Sequence, residues 1–313
     1  MKNEVILSLG HLTKAYGDIL AVNDLNLEIY KGEIFGLLGP NGAGKTTTIN
    51  LIAGIIKPDR GQVFFKGSPI QDSKTNYLSE IGICPQENVH WKKLTPEEQL
   101  IFLGQMYGMP QALIRERSQI LIEVLGLTDV ARRLTGKLSG GMKRRLNIAL
   151  ALIHDPQILI LDEPVAGLDP QSRINIRDYI KSLAINKTII LTTHNMDEAH
   201  RMADRVAVID LGKLLVIDTP DALVGKVGEG DVLEIEIAGL GSGKEDIVLD
   251  LPDQSQKLLL DDMLQIRGLD LVNHLPSILS NLEKSGIQIG EIRLRKNTLE
   301  DVFIQLTGRR LRE

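Results

Sequence analysis

This 313-residue sequence contains a single cysteine, Cys84, which excludes an intramolecular disulfide and suits a reducing compartment. It also lacks any long hydrophobic run. The strongest, Ile148-Ala149-Leu150-Ala151-Leu152-Ile153, stops at His154-Asp155-Pro156, far short of the roughly 18 residues a membrane helix needs. Nothing at the start reads as a secretion signal, since Met1-Lys2-Asn3-Glu4 leads into a strand-like segment interrupted by polar residues. A basic face is missing too: the formal net charge is -5, with acids and bases well mixed, which argues against a nucleic-acid partner. The remainder is a globular composition, 43% hydrophobic. That length fits two domains and buries about 70–75% of the unfolded surface.

Strands alternate with helices along most of the chain. Val5 to Leu9 and Ala21 to Ile29 read as strands, the second broken by Asn23-Asp24. Glu33-Ile34-Phe35-Gly36-Leu37-Leu38 is a nearly continuous apolar run, as in a strand covered on both faces. A helix from about Lys45 to Ala53 follows, then a turn at Pro58-Asp59-Arg60-Gly61 and a short hairpin element. Residues 95–140 turn helical, opening on Thr95-Pro96-Glu97-Glu98 with a cap, a proline at the first helical position and acids in the first turn. A helix from Ser139 to Ile153, a strand from Ile158 to Leu161, a helix from Asp169-Pro170 and a strand from Thr188 to Thr193 come next. This alternation predicts a parallel sheet with its ligand at the carboxyl edge. The composition shifts near Gly225-Lys226-Val227-Gly228-Glu229-Gly230, a linker. Beyond it, Val232–Ile237 and Ile287–Leu294 read as strands around a helix near Leu275–Lys284, and Thr298-Leu299-Glu300-Asp301 starts a final helix. The expected domains are thus 1–224 and 225–313.

Chemistry gathers in three short stretches. Gly39-Pro40-Asn41-Gly42-Ala43-Gly44-Lys45-Thr46-Thr47 lies between strand and helix, where glycines let successive N–H groups curl around phosphate oxygens. Lys45 supplies a charge to the β- and γ-phosphates, and the Thr46 hydroxyl is placed to ligate Mg²⁺. Ile158-Leu159-Ile160-Leu161-Asp162-Glu163 ends a buried strand on two acids: Asp162 to hold Mg²⁺, Glu163 to act as general base on the attacking water. Leu138-Ser139-Gly140-Gly141-Met142-Lys143 is a second glycine pair at a helix start. Were the two loops to open helices on opposite sides of a sheet, the second could not reach the first's nucleotide. It makes chemical sense when two copies meet and each supplies glycines to the other's ATP.

Together these motifs resemble the ATP-binding subunits of ABC transporters, from roughly Val5 to Asp218. The fold implied is a phosphate-loop NTPase of the α/β class, with a parallel-sheet core, an antiparallel β subdomain, a helical subdomain and a small C-terminal α+β domain. The resemblance implies that Ser139, Gly140 and Gly141 face the γ-phosphate held by the partner, with Met142 in place of the family's frequent glutamine. It matches Gln86 to the family's glutamine loop, which touches Mg²⁺ or the water and leads to the surface that senses the permease. His194 resembles the switch histidine on the γ-phosphate. Tyr16 lies where the family stacks an aromatic on adenine, with a buried core tyrosine as the competing reading. Asp169 caps its helix, reaches across the dimer, or does both. Trp91 packs under a permease helix or is a half-buried core residue, and Arg309, Arg310 and Arg312 touch anionic lipid or, the favoured reading, form a solvated helix end.

The tail, Thr298-Leu299-Glu300-Asp301-Val302-Phe303 and Leu306-Thr307-Gly308-Arg309, is similar to the ATPase subunits of ABC-2-type exporters, the daunorubicin-resistance-like group, as are Met142 and Val165-Ala166-Gly167-Leu168-Asp169-Pro170. That resemblance implies a second ATPase subunit, identical or a close paralogue, and an integral membrane permease that selects the cargo. It places the chain on the cytoplasmic face of the cell membrane. The rival is a soluble ABC-type ATPase. Chromosome-type members insert a long coiled coil between the glycine loops, which the short interval from Lys45 to Ser139 excludes. Translation-type members usually carry two cassettes, against one here. A scaffold ATPase for cofactor assembly is opposed mainly by the exporter-like tail. A regulatory module that never hydrolyses ATP is disfavoured by Glu163 and His194.

Overall fold

The computed structural model describes residues 4–87, 89–227, 230–238, 255–260 and 263–308. The chain divides into two compact units, Met1–Thr219 and Pro220–Arg312. In the first, β1 (Val5–Tyr16) and β2 (Ile19–Tyr30) form an antiparallel hairpin. Both strands run longer than the sequence suggests, and Asn23-Asp24 does not break β2. Asp24 takes a left-handed φ of 53°, and register shifts on either side of Leu12 absorb the irregularity as a bulge. Leu25, Leu27 and Ile29 alternate into the core, each worth about 1.5–3 kcal/mol when fully buried.

β3 (Ile34–Leu38) runs into the glycine-rich loop, which delivers the chain to α1 (Lys45–Ile52). β4 (Arg60–Phe65) and β5 (Ser68–Pro69) return to the hairpin, giving an antiparallel sheet ordered β2-β1-β4-β5. α2 (Lys74–Ser79) precedes β6 (Ile81–Cys84), which ends on the buried Cys84. Then α3 (Pro96–Met106), α4 (Gln111–Val124) and α5 (Gly140–Leu152) pack on one another. The start of α3 is the reciprocal cap its sequence announces. Thr95 Oγ1 accepts from the Glu98 N–H at 3.2 Å, and Glu98 Oε2 accepts from the Thr95 N–H at 2.8 Å.

The unit closes with β7 (Ile158–Asp162), α6 (Pro170–Leu183), β8 (Thr188–Thr193), α7 (Met196–Met202), β9 (Arg205–Asp210) and β10 (Lys213–Asp218). Its second sheet has the order β10-β9-β3-β8-β7-β6, parallel throughout except where β10 runs antiparallel to β9. Every residue of β3 and β7 is buried, which is why both read as apolar runs. Because β3, β8, β7 and β6 are parallel neighbours, their carboxyl ends line one edge.

The second unit begins with α8 (Pro220–Lys226). Gly225 and Lys226, read as linker from the sequence, are its last residues; Gly228 and Glu229 lie outside the described residues. β11 (Asp231–Ala238), β12 (Gln256–Leu260), β13 (Met263–Gly268), α9 (Leu271–Lys284), β14 (Gln288–Lys296) and α10 (Leu299–Thr307) follow. The strands form an antiparallel sheet ordered β12-β13-β11-β14. Leu271, Ile278 and Leu282 of α9 share a core with Leu233, Ile235, Leu264 and Ile266. The sequence does not announce β12 and β13, and α9 starts a turn before Leu275 with Pro276 inside it.

Asp301, fully buried in α10, is the polar centre of this unit. Its carboxylate accepts from Arg295 Nη1 at 2.6 Å, from Gln265 Nε2 at 3.1 Å and from the Thr298 N–H at 2.8 Å, and Arg267 lies 3.4 Å away. Burial alone would raise the carboxyl, but the Arg295 hydrogen bonds and charge outweigh it and hold it below the usual aspartate range. The expected tail charges Arg309, Arg310 and Arg312 lie outside the described residues.

Candidate functional site

The glycine-rich loop is shaped by backbone that only glycine tolerates. Gly44 has φ 102°, and a Cβ there would sit 2.2 Å from the Ala21 carbonyl oxygen of β2. As the N-cap of α1 it also brings no side-chain acceptor, so the first-turn N–H groups stay available to an anion. Lys45 is buried, and its Nζ donates to the carbonyls of Gly39 at 2.7 Å and Pro40 at 3.0 Å. Burial pulls this ammonium below its usual range, while the carboxylates of Glu163 and Asp162 oppose that fall.

Two further strand ends meet this loop. Asp162, the last residue of β7, accepts from Thr46 Oγ1 at 3.3 Å through one oxygen and from Thr192 Oγ1 of β8 through the other. Glu163 turns the chain in a left-handed conformation at φ 51°, unusual for a residue with a Cβ. Its N–H donates to the Thr192 carbonyl at 3.2 Å and hydroxyl at 3.1 Å. Its carboxylate is buried, and Oε1 accepts from the His194 N–H at 3.1 Å and lies 2.7 Å from His194 Nδ1. Gln86, just beyond β6, completes the wall. A cleft of about 270 Å³ is lined by Ala21, Asn41, Gly42, Gly44, Lys45, Thr46, Thr47, Gln86, Asp162 and Glu163.

The other residues singled out from sequence are not among those that line this cleft. Ala43 is buried behind the loop, and the half-exposed His194 joins through Glu163. Tyr16 is 50% exposed at the end of β1, with Lys14 Nζ 5.8 Å from its ring centre, so it is not a core tyrosine. Ser139 caps α5, its Oγ accepting from the Met142 N–H at 3.3 Å, and Gly140 and Gly141 form the helix's first turn. Asp169 caps α6 by accepting from the Ser172 N–H at 3.0 Å. These two helix starts adjoin: a Cβ on Gly141 would lie 3.5 Å from Leu168 Cδ2 and 3.8 Å from Ser172 Oγ.

Two residues at the site escape a motif reading. Thr192 holds both acids, as described. Arg144 of α5 is 3% exposed and donates to the carbonyls of Pro85, Gln86, Asp162 and Pro164. The signal for it in the sequence is faint: Arg144 shares a helix face with Ile148 and Ala151, so a charge falls on a buried stripe.

The ABC transporter family matches residues 22–166 of this chain. The linearmycin resistance ATP-binding protein LnrL of Bacillus subtilis is 35% identical, over 98% of this chain and 100% of that protein. A Nod factor export ATP-binding protein of Sinorhizobium fredii is 37% identical, over 100% and 89%, and a daunorubicin resistance ATP-binding protein of Streptomyces coeruleorubidus is 33% identical, over 96% of each. Among solved structures, a dimeric ATP-binding cassette in a post-hydrolysis state with ADP and Pi superposes with a TM-score of 0.62 at 28% identity, covering 68% of this chain and 98% of that one. An ABC transporter cassette from Clostridium perfringens gives 0.64 at 29%, covering 72% and 94%. Fold, loop geometry and full-length relatives agree: the chain belongs to the ABC transporter family, as one of its ATP-binding subunits.

Proposed function

We propose that this chain powers export by hydrolysing ATP, as one of two ATPase subunits that serve a separately encoded membrane permease from the cytoplasmic face. One observation carries the reading: the phosphate loop, Gln86, Asp162 and Glu163 meet in a single cleft at the carboxyl edge of one sheet, while the Ser139 loop lies outside its lining. That division suits a site finished by a second subunit. An isologous pair, identical or closely paralogous, completes both sites with the same residues.

In this mechanism the loop from Gly39 to Thr47 wraps the phosphates through its N–H groups, and Lys45 exchanges its carbonyl partners for β- and γ-phosphate oxygens. Thr46 and Asp162, with Gln86 beside them, would hold Mg²⁺. The fit rests on hard oxygen donors, a hydroxyl and a carboxylate 3.3 Å apart. Bound there, the cation would neutralise charge on the phosphate oxygens. Glu163 orients the attacking water and accepts its proton. His194, held on Glu163 in this structure, turns to the γ-phosphate and frees the Oε1 that water needs. The open ring of Tyr16 stacks on adenine. Ser139, Gly140 and Gly141, with Asp169 beside them, close on the ATP of the partner.

The permease docks next to Gln86. There an apolar groove of about 560 Å³ is walled by Ile83, Pro85, Val89, Trp91, Leu103 and Leu150. Trp91 is 45% exposed and packs edge-on to Phe102 at 5.3 Å, a ring ready to receive an apolar helix. Among the described residues no helix is long and apolar enough to cross a membrane.

The test is to tag the Glu163→Gln form in its native host and extract membranes in mild detergent with ATP. This variant should bind ATP while hydrolysis falls on the order of 10²–10⁴-fold. Recovery of a polytopic membrane protein at near-equal stoichiometry is expected. Recovery only in the soluble fraction, alone or with cytosolic partners, would overturn the exporter reading.

A further inference from the structure

Arg144 is a buried cation whose four named partners are all backbone carbonyls. Nε donates to Pro164 O at 3.1 Å, Nη1 to Pro85 O and to Gln86 O at 3.2 Å, and Nη2 to Asp162 O. A guanidinium is costly to bury, and here the planar fork is satisfied by carbonyl oxygens from two separate segments. One segment is the turn after β6 that carries Gln86. The other flanks Glu163 on both sides, since Asp162 and Pro164 are its neighbours. The guanidinium therefore staples the glutamine turn to the backbone that aims the general base.

Its own backbone belongs to neither segment. Arg144 lies in the second turn of α5, about 6 Å along the axis from Gly140. α5 is the helix whose first turn is Ser139-Gly140-Gly141. Any rotation or shift of α5 must move Arg144, and a fork holding four carbonyls passes that movement to Gln86 and Glu163 together. Contacts of this kind resist displacement, most of all the buried ones to Pro164 and Asp162, where a broken bond leaves a guanidinium N–H without its acceptor.

We infer that Arg144 is a positioning residue: when the Ser139 loop seats on the partner's ATP, Arg144 sets Gln86 and Glu163 of its own subunit in their working places, linking the two sites of the pair. The inference rests on the two-subunit reading above. Its chemistry adds no bond-making step, only the geometry in which Glu163 meets water.

The experiment compares steady-state ATP hydrolysis and binding of a fluorescent ATP analogue in full-length Arg144→Lys, Gln86→Ala and the double variant. Arg144→Lys keeps the charge but loses the fork. It should lower kcat on the order of tenfold or more with analogue binding unchanged within about threefold, a split expected of lost transition-state geometry. Because both changes act through one turn, the double variant should be no slower than the slower single variant. Losses that multiply, or a kcat loss matched by lost binding, would overturn the inference. A melting curve accompanies each variant. Should Arg144→Lys melt below assay temperature, Arg144→Gln repeats the test with a neutral donor. The supporting reading is checked separately in the Glu163→Gln background, where ATP should produce a dimer on size exclusion. No ATP-dependent dimer would overturn both, whereas a normal dimer with multiplying kinetic losses would overturn only the role of Arg144.

Discussion

Thr192 is a small residue with a large share in the site. Its hydroxyl donates to Asp162 and accepts from the Glu163 N–H, both in buried surroundings. Thr192→Val keeps the shape and removes both bonds, leaving an Asp162 oxygen short of a partner while the Glu163 N–H keeps only the Thr192 carbonyl. It should cost about 1–3 kcal/mol of stability, measured by urea unfolding, and lower kcat more than it changes KM. Lys45→Met removes an ammonium already weakened by burial, so the fold should hold while ATP-analogue binding is lost. At this scale the sequence was legible wherever the proposed function rests on a short stretch of backbone. Gly39 to Thr47 and Ser139 to Gly141 are runs whose order is dictated by N–H geometry, and they could be read directly. Thr192 and Arg144 work across separations of 30 and 58 residues, on partners that only the folded sheet brings near. No local pattern marks such a contact.

Elements obey the same division. β3 and β7 are covered on both faces, so burial wrote itself into their sequence as apolar runs. α3 carries its start signal in Thr95 and Glu98, and Thr95→Ala should cost about 0.5–2 kcal/mol in urea unfolding. β12 and β13 were illegible because β13 turns Gln265 and Arg267 toward Asp301, and a strand with buried polar residues has no clean alternation. β2 was read as broken at Asn23-Asp24 because a bulge and a turn share the same residue types. The turn into α1 is the least forgiving joint. Gly44→Ala would hold a side chain at a φ of 102°, a strain of about 1–3 kcal/mol, and would add a clash of the methyl group with the Ala21 carbonyl. Binding of an ATP analogue should weaken far more than the melting temperature falls, since the strained peptide units are those proposed to wrap the phosphates.

At the scale of the whole molecule, the two compact units should answer to different reagents in calorimetry. ATP at 100 times its Kd should raise stability by about 2.7 kcal/mol, and only in the transition of the unit that holds the phosphate loop. The other unit should answer to acid. The Asp301 carboxyl is held below its usual range when folded, so its contribution is present above the ordinary aspartate value near pH 4 and is lost as pH falls through the lower, folded one. Asp301→Asn removes that dependence and leaves Arg267 without its carboxylate while Arg295 keeps Glu234, at a cost toward the lower end of about 3–5 kcal/mol. A shift of the ATP-responsive transition by this substitution would show the units to be coupled. Cys84 has a practical consequence for such work. It ends β6 with its side chain fully buried, and burial pushes its thiol up to about 11. Thiolate is therefore scarce at neutral pH, and maleimide reagents attack the thiolate. As the only cysteine in the sequence, it makes the native chain a silent background for labelling. A cysteine placed at the exposed Gln171, beside the α5 and α6 starts, would carry the sole fluorophore and report the meeting of two subunits in real time.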